Sequence, residues 1–167
     1  MFNTMNYTQA LSSFMGQILQ SRGASILVTD IKNRAHLIFP ECKDDCTFGP
    51  VPTDGYMVSL KNGMTIDLSE IHKSVDVDGI KSMFNALLVR CNMLHLCFPE
   101  LKGNLYLGAW IDEANMFEDA EGQSSNGTLI GDVSVNVSQL HVAVALGLAN
   151  DQRAIYDVKN KESIYIK

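Results

Sequence analysis

Four cysteines and a histidine have the residue types of a structural zinc site. Cys42 and Cys46 are separated by three residues, and Cys91, His95 and Cys97 fall close together further along the chain. Thiolate and imidazole are the ligands with which proteins hold structural zinc. A three-residue separation is not the common spacing of a zinc knuckle, however, and free cysteines are frequent in protein cores. We therefore interpret these cysteines as core residues and predict neither a metal nor another cofactor, with a zinc site as the alternative.

Two aspartates form a second candidate site. Asp112 ends the predicted strand 104–112, and Asp132 lies in the predicted strand 129–137. Pairing of these strands would bring the carboxylates together, and two close carboxylates share a proton or hold Mg²⁺ or Ca²⁺. On that interpretation the chain is a small metal- or nucleotide-dependent enzyme. The alternative, which we favour, is that both aspartates are turn and cap residues at strand ends.

Histidines and possible nucleophiles are the third candidate. The chain has four histidines, His36, His72, His95 and His141. No serine or cysteine lies in the sequence context of a hydrolase nucleophile, and the phosphate-binding-loop, kinase and zinc-protease motifs are absent. His95 lies beside an apolar stripe and His141 begins an apolar helix, so we expect both to be core residues. We predict no catalytic residue and favour a protein that is not an enzyme.

Acidic residues are concentrated in one part of the chain. The net charge is −6, yet residues 103–152 hold seven acids and no Lys or Arg, while the rest of the chain holds 13 basic and 12 acidic residues. A segment of this sign repels nucleic-acid phosphates and attracts basic proteins. We therefore predict a basic protein partner and no direct binding of nucleic acid. The seven acids are Asp112, Glu113, Glu118, Asp119, Glu121, Asp132 and Asp151.

The stretch from Asp112 to Glu121 is the most distinctive part of this segment. It places Met116 and Phe117 between acids on both sides, and many protein interfaces are built from an apolar anchor inside a charged rim. The alternative is a solvated loop with Phe117 folded back into the core. The predicted partner-binding residues are Asp112, Glu113, Met116, Phe117, Glu118, Asp119 and Glu121.

The elements that position these residues follow from periodicity and turn signals. Apolar residues at helical spacing predict a first helix over 7–20 and a long helix that Asp78 caps. Ser138 is expected to cap a short helix over 140–148, whose nearly all-apolar surface must be covered by the sheet. Strands are predicted over 25–30, 36–39, 56–60, 64–68, 104–112, 129–137, 153–158 and 163–166.

Two connections have sequence signals of their own. Asn62 and Gly63 separate the predicted strands 56–60 and 64–68, and Asn-Gly between two apolar runs is a strong hairpin signal. We therefore predict that these two strands pair with each other. Residues 40–54 contain three prolines and two cysteines and are predicted to form a loop.

The order of these elements predicts the fold class. Helices and strands do not alternate with a βαβ rhythm, and the glycine-rich fingerprint of dinucleotide-binding folds is absent. We predict a single α+β domain over residues 1–167, with a mixed or antiparallel sheet packed against two to three helices. Its acidic C-terminal half, residues 103–167, is predicted to be β-loop-β-α-β.

Composition and length place further limits on the protein. The chain has 167 residues, of which 46% are hydrophobic and 19% are charged, as is usual for one globular domain. No apolar run is long enough to span a membrane, and no signal peptide is recognisable. We expect a protein of the cytoplasm, where the four cysteines stay reduced.

Five short sequences resemble a pattern found in small phage and mobile-element accessory proteins. They are PTDGYMVS (52–59), GAWID (108–112), DVSV (132–135), ALG (145–147) and NDQRAIYD (150–157). The resemblance implies a phage or prophage accessory protein that acts in a bacterial cytoplasm, and it carries no functional residue with it. The acidic stretch departs from the pattern, which has a short glycine turn between the two strands.

These observations favour a non-enzymatic phage-type accessory protein that binds a basic host protein through its acidic surface. Inhibition of a bacterial defence nuclease is the concrete version, because an acidic surface can occupy the basic nucleic-acid channel of such an enzyme. Two alternatives stay open. One is the metal- or nucleotide-dependent enzyme, and the other is a virion or assembly component, which would associate with itself.

Overall fold

The computed structural model describes residues 4–21, 23–31, 46–61, 64–67, 77–112 and 128–167. Within these ranges the chain forms three α-helices and eight strands that belong to one sheet, which confirms the predicted α+β class. None of these helices combines the length and the apolar character needed to cross a membrane. The helices are α1 (Tyr7–Ser21), α2 (Val77–Cys97) and α3 (Leu140–Ala149). The strands are β1 (Gly23–Ile31), β2 (Cys46–Phe48), β3 (Tyr56–Ser59), β4 (Met64–Asp67), β5 (Leu105–Asp112), β6 (Thr128–Val137), β7 (Ala154–Asp157) and β8 (Glu162–Tyr165).

All the strand pairs between these elements are antiparallel. The strands lie in the order β2-β1-β5-β6-β3-β7-β8, and β4 also pairs with β6. The central pair is β5 with β6, which runs from Leu105 opposite Val135 to Asp112 opposite Thr128. The antiparallel form of the predicted sheet is therefore the one observed.

Helix α2 supplies the centre of the core, as its apolar spacing predicted. Phe84 is fully buried, and its ring centroid lies 5.2 Å from that of Phe14, 5.6 Å from that of Tyr7 and 5.7 Å from that of Phe48. These aromatic contacts tie α1 and β2 to α2. Asn92 of the same helix is also buried, and Asp78, the predicted cap, lies within the helix, which begins at Val77. The buried apolar residues of α2 are Ile80, Met83, Phe84, Leu87, Leu88 and Cys91.

All three helices pack on the same face of the sheet. α1 contacts β1, α2 contacts β5 and β6, and α3 contacts β3 and β7. Val28, Leu105, Val135 and Val58 align across four strands and are buried beneath these helices. Side chains alternate along a strand, so that neighbours such as Tyr106 point to the other face. We call that second face the open face, because no helix in the described ranges lies on it.

The predicted hairpin between β3 and β4 is wrong. Both strands pair with β6 and run along it in the same direction, one after the other. Ser59 lies opposite Ser134 and Met64 lies opposite Gly131, so that five residue steps on this side match three steps of β6. The physical reason is the length of β6: its 10 residues are enough to pair with both short strands, and no reversal at Asn-Gly is required.

Helix α3 differs from its prediction in its cap and in its burial. Its N-cap residue is Gln139 rather than Ser138, without a side-chain hydrogen bond to the helix. Only Ala143 and Gly147 are fully buried, because α3 contacts the sheet with one side and the other two helices lie over different strands. The expectation of a fully covered helix is therefore wrong. The exposed large apolar residues of α3 are Leu140 (44%), Val142 (42%) and Leu148 (45%).

The other predicted strands and loops have different outcomes. The predicted loop 40–54 contains strand β2, which pairs with β1 through residues such as Cys46. β7 and β8 confirm the predicted strands 153–158 and 163–166, and they pair with each other. The predicted strand 36–39, His72, Cys42 and residues 113–121 lie outside the described residues.

Candidate functional site

The open face of the sheet brings polar side chains together near its centre. Tyr106 and Gly108 of β5 lie opposite Ser134 and Asp132 of β6. Ser59 of β3 lies on the far side of Ser134, so that the polar row crosses three strands. These residues alternate with the core residues of the same strands, and for that reason they all point away from the helices.

Asp132 is the centre of this polar cluster. Ser59 Oγ donates a 2.5 Å hydrogen bond to Oδ2 of Asp132, and Ser134 Oγ donates a 2.5 Å hydrogen bond to Oδ1. Only 4% of Asp132 is exposed. Burial raises the pKa of the Asp132 carboxyl, while the hydrogen bonds from Ser134 and Ser59 and the charge of Arg90 lower it. Burial is the largest of these effects, so Asp132 resists ionisation.

Gly108 allows the carboxylate to lie directly against strand β5. A Cβ atom at this position would stand 2.6 Å from Oδ1 of Asp132 and 3.3 Å from Oγ of Ser134. Real Cβ atoms do not approach other atoms as closely as the first of these distances, so a larger residue would displace the carboxylate. The residue opposite Asp132 is therefore small for a steric reason.

The predicted pairing of Asp112 with Asp132 is not formed. The strands β5 and β6 do pair, but Asp112 lies opposite Thr128 and Asp132 lies opposite Gly108. Four residue steps separate the two aspartates along the ladder, which is about 13 Å at ~3.3 Å per residue. The interpretation of Asp132 as a strand-end residue is also wrong, because Asp132 lies in the middle of β6.

The described cysteines do not assemble a metal site. Cys46 and Cys91 are buried, as predicted for core residues, whereas Cys97 is exposed at the end of α2, so the predicted core position is wrong for Cys97. Burial, and then the neighbouring Cys46 thiol, raises the pKa of Cys91 to about 12. Within the described residues, no three His, Cys, Asp or Glu side chains come together as metal ligands.

The two described histidines have opposite environments. His95 is 1% exposed, which confirms the expectation of a core histidine. His141 is exposed on α3, so the same expectation is wrong for this residue. The cause is the partial coverage of α3: His141 lies on the side of the helix that does not contact the sheet.

Trp110 is an exposed residue of β5. The sequence predicted its place in a strand but not its exposure. It lies on the open face, opposite Gly23 of β1 and Ile130 of β6, and 42% of it is exposed. Gly23 has no side chain to cover the indole from the β1 side. Trp110 precedes Asp112, the last residue of β5 and the first residue of the acidic stretch, by two positions. The sequence LYLGAWID of β5 does not alternate between apolar and polar residues, so no sequence signal marked the exposed face of this strand.

The structure describes the side chains of two of the seven acids of the segment 103–152. Asp132 is buried in the polar cluster of the open face. Asp151 is exposed and forms an ion pair with Lys167, which lowers the pKa of the Asp151 carboxyl. The other five acids all belong to the stretch Asp112–Glu121. The side chains of the predicted partner-binding residues in this stretch lie outside the described residues.

No protein-family model matches this chain, and no curated protein or solved structure matches it.

Proposed function

We propose that this chain is a non-enzymatic binding protein whose acidic stretch, Asp112–Glu121, engages a basic surface of another protein. Trp110 contributes an aromatic anchor beside that stretch. The partner is recognised by its positive charge and by an apolar pocket that accepts the indole. The observation that carries the proposal is the position of an exposed tryptophan two residues before a run of acids that has no basic residue near it in sequence.

The distribution of charge supports this proposal. Asp132 is buried and Asp151 is paired with Lys167, so neither contributes a free negative charge for recognition. Five of the seven acids then remain within the ten residues from Asp112 to Glu121. Such a concentration of one sign steers a basic partner toward this end of the protein and disfavours acidic ones.

The setting of Trp110 supports the anchor role. An indole that is 42% exposed carries a large apolar area that water covers in the free protein. Tryptophan is enriched among the residues that dominate binding energy, above all where surrounding contacts exclude water from it. The backbone of Trp110 is paired with β1 on one side and β6 on the other, so little backbone freedom would be lost on binding.

The concrete version of the proposal places the protein in a bacterial cytoplasm, with a phage or prophage as its source. The target is then a basic, nucleic-acid-binding host factor, of which a defence nuclease is the clearest case. Its nucleic-acid channel has the charge to attract an acidic segment, and occupation of that channel would exclude the nucleic acid. The resemblance to phage accessory proteins supports this version.

The experiment that tests the proposal compares two double variants of equal net charge. Glu118→Lys with Asp119→Lys should lower the affinity for a basic partner protein captured from bacterial lysate by at least about tenfold at low salt. Glu100→Lys with Glu162→Lys changes two exposed acids outside the stretch and should leave the affinity within about twofold. Equal losses in both would contradict the proposed site, since net charge alone would then explain the binding.

The enzyme hypothesis loses its geometric basis in the register of β5 and β6. It required Asp112 and Asp132 to act on one metal ion or one proton, and four residue steps separate them. Each oxygen of the Asp132 carboxylate also already accepts a hydrogen bond, one from Ser59 and the other from Ser134. No other described group of residues favours an enzyme.

A further inference from the structure

The outward side of α3 is a largely apolar surface that the described parts of the chain leave exposed. It consists of His141, Val142, Ala145, Leu148 and Ala149, which are all exposed and lie on one side of the helix. The opposite side carries Ala143 and Gly147 against the sheet. We call the five exposed residues the outer face of α3. We propose that this face is where two copies of the chain associate.

The absence of charge on this surface favours a second copy of this acidic chain as the occupant. No Asp, Glu, Lys or Arg occurs from Val133 to Asn150, whereas the chain as a whole carries −6. Two copies of an acidic protein repel each other wherever like charges would be juxtaposed. The outer face of α3 lets two copies meet without opposing like charges. A strongly charged partner, by contrast, would find no counter-charge there.

The electrostatics of the helix favour a two-fold, antiparallel arrangement. Each helix carries a partial positive charge at its N-terminus and a partial negative charge at its C-terminus. An antiparallel pair places these ends against their opposites, and a two-fold axis perpendicular to the helix generates such a pair. Ala145 lies at the middle of the outer face, and its small side chain permits close approach of the two backbones. Val142 and Leu148 then pack on either side of the axis.

The size of the face predicts a weak and reversible dimer. A ten-residue helix is about 15 Å long, so the contact is well below the ~800 Å² per partner of a standard stable interface. Association should therefore depend on concentration. Trp110 lies on the open face of the sheet, on the other side from α3, so each copy in the dimer keeps its Trp110 accessible. The dimer would present two partner-binding sites.

Sedimentation velocity over a range of concentrations tests this proposal directly. The wild-type protein should shift toward a dimer as its concentration rises, and added salt should strengthen the shift because it screens the repulsion between acidic copies. Ala145→Glu should weaken the dimer by at least about tenfold, since it places two like charges at the axis. Added salt should weaken the partner binding proposed above, whereas it should strengthen the dimer. The dimer and the partner binding can therefore be tested separately.

Two control variants separate this face from other exposed apolar residues. Leu19→Glu on α1 and Met93→Glu on α2 change side chains that are 61% and 60% exposed. Both should dimerise as the wild type does, and circular dichroism should show that all variants are folded. A wild-type monomer at every concentration, or an Ala145→Glu variant that dimerises normally, would overturn the proposal. Loss of the dimer in Met93→Glu alone would also overturn it, because the interface would then lie at α2.

Cross-linking gives a second measurement that does not depend on a disruptive substitution. In a background with Cys42→Ser and Cys97→Ser, the variant Ala145→Cys should yield covalent dimers with a short bismaleimide. Leu19→Cys in the same background should yield few. Equal yields from both positions would count against an axis at Ala145.

Discussion

Ser59 and Asp132, 73 positions apart in the chain, are joined by a 2.5 Å hydrogen bond from the Ser59 hydroxyl to Oδ2 of the carboxylate. The bond links β3 to β6 at the place where the strand beside β6 is interrupted. Ser134 donates to the other carboxylate oxygen from within β6. The cluster thus holds together the part of the sheet where backbone pairing is irregular, which gives Asp132 a structural role.

Removal of the Ser59 hydroxyl should destabilise the protein. Ser59→Ala leaves a buried carboxyl with one donor fewer, and such a loss costs about 1–3 kcal/mol in free energy of unfolding. Ser163→Ala on β8 is the matched control, since Ser163 is an exposed strand residue and should change stability by less than about 0.5 kcal/mol. Urea unfolding of both variants measures the difference. Equal stabilities would show that the cluster contributes nothing.

The stability of the protein should depend on pH through Asp132. Burial raises the pKa of this carboxyl above its ordinary value of 3.8, so the folded state binds the proton more tightly than the unfolded state. The contribution of Asp132 is therefore fully present below pH 3.8 and is lost as the pH rises through the folded-state pKa. Asn cannot ionise, so the stability of Asp132→Asn relative to the wild type should increase with pH.

Unfolding free energies of these two proteins between pH 4 and pH 9 provide the measurement. Titrating groups that the wild type and Asp132→Asn share contribute equally to both unfolding free energies, so they cancel in the difference. Asp157 is one such group, and its pKa is lowered chiefly by the backbone N–H of Asn160. A difference that stays constant over the whole range would mean that the pKa of Asp132 is not raised. A difference that falls with pH would reverse the sign expected from burial.

Two glycine substitutions should have opposite effects. Gly108→Ala would place a Cβ atom 2.6 Å from Oδ1 of Asp132, so it should destabilise the protein by at least about 1 kcal/mol. Gly16→Ala in α1 meets no atom within 4 Å and should stabilise the helix by about 0.5–1 kcal/mol. Thermal unfolding compares the two. A Gly108→Ala protein as stable as the wild type would show that the carboxylate can move away without cost.

The cysteines should react with alkylating reagents at very different rates. Cys97 is exposed, whereas Cys91 is buried and has a pKa of about 12. At pH 8 a thiol of that pKa is about one part in ten thousand thiolate, and the thiolate is the reactive form. Peptide mass spectrometry after brief labelling should find Cys97 modified and Cys91 unmodified until the protein is unfolded. Rapid labelling of Cys91 would contradict the buried position of this residue.

The helices and the fold class were predictable because they depend on local periodicity. The apolar spacing from Ile80 to Leu94 is that of a helix with one buried side, and α2 has this structure. α3 shows the limit of the same argument. Its sequence is apolar on all sides, but periodicity does not tell which sides find a partner, and only Ala143 and Gly147 are fully buried.

Strand pairing was less predictable because it depends on distant parts of the chain. Asn62 and Gly63 suggested that β3 and β4 pair with each other, yet β6 pairs with both. No local signal distinguishes these outcomes. The sequence correctly suggested that β5 pairs with β6. It did not determine the register of this pair, because the connection between the two strands is long enough to permit several registers. A shift of four residues separates Asp112 from Asp132.

The candidate site was predictable only in its charge. The absence of Lys and Arg over residues 103–152 can be counted in the sequence, and it indicated a basic partner. Which acids stay available is a property of the fold: Asp132 is buried and Asp151 is bound to Lys167. The exposure of Trp110 likewise depends on Gly23 and Ile130, which the register places beside it.

A pull-down from bacterial lysate with the tagged protein, at low and at high salt, tests the central claim most directly. The bound proteins would be identified by mass spectrometry for the wild type and for the variant Glu118→Lys, Asp119→Lys. The account predicts one basic partner that the wild type captures at low salt and that is lost both at high salt and in the variant. A wild type that captures no partner at either salt, or a partner that the variant retains, would contradict recognition through the acidic stretch.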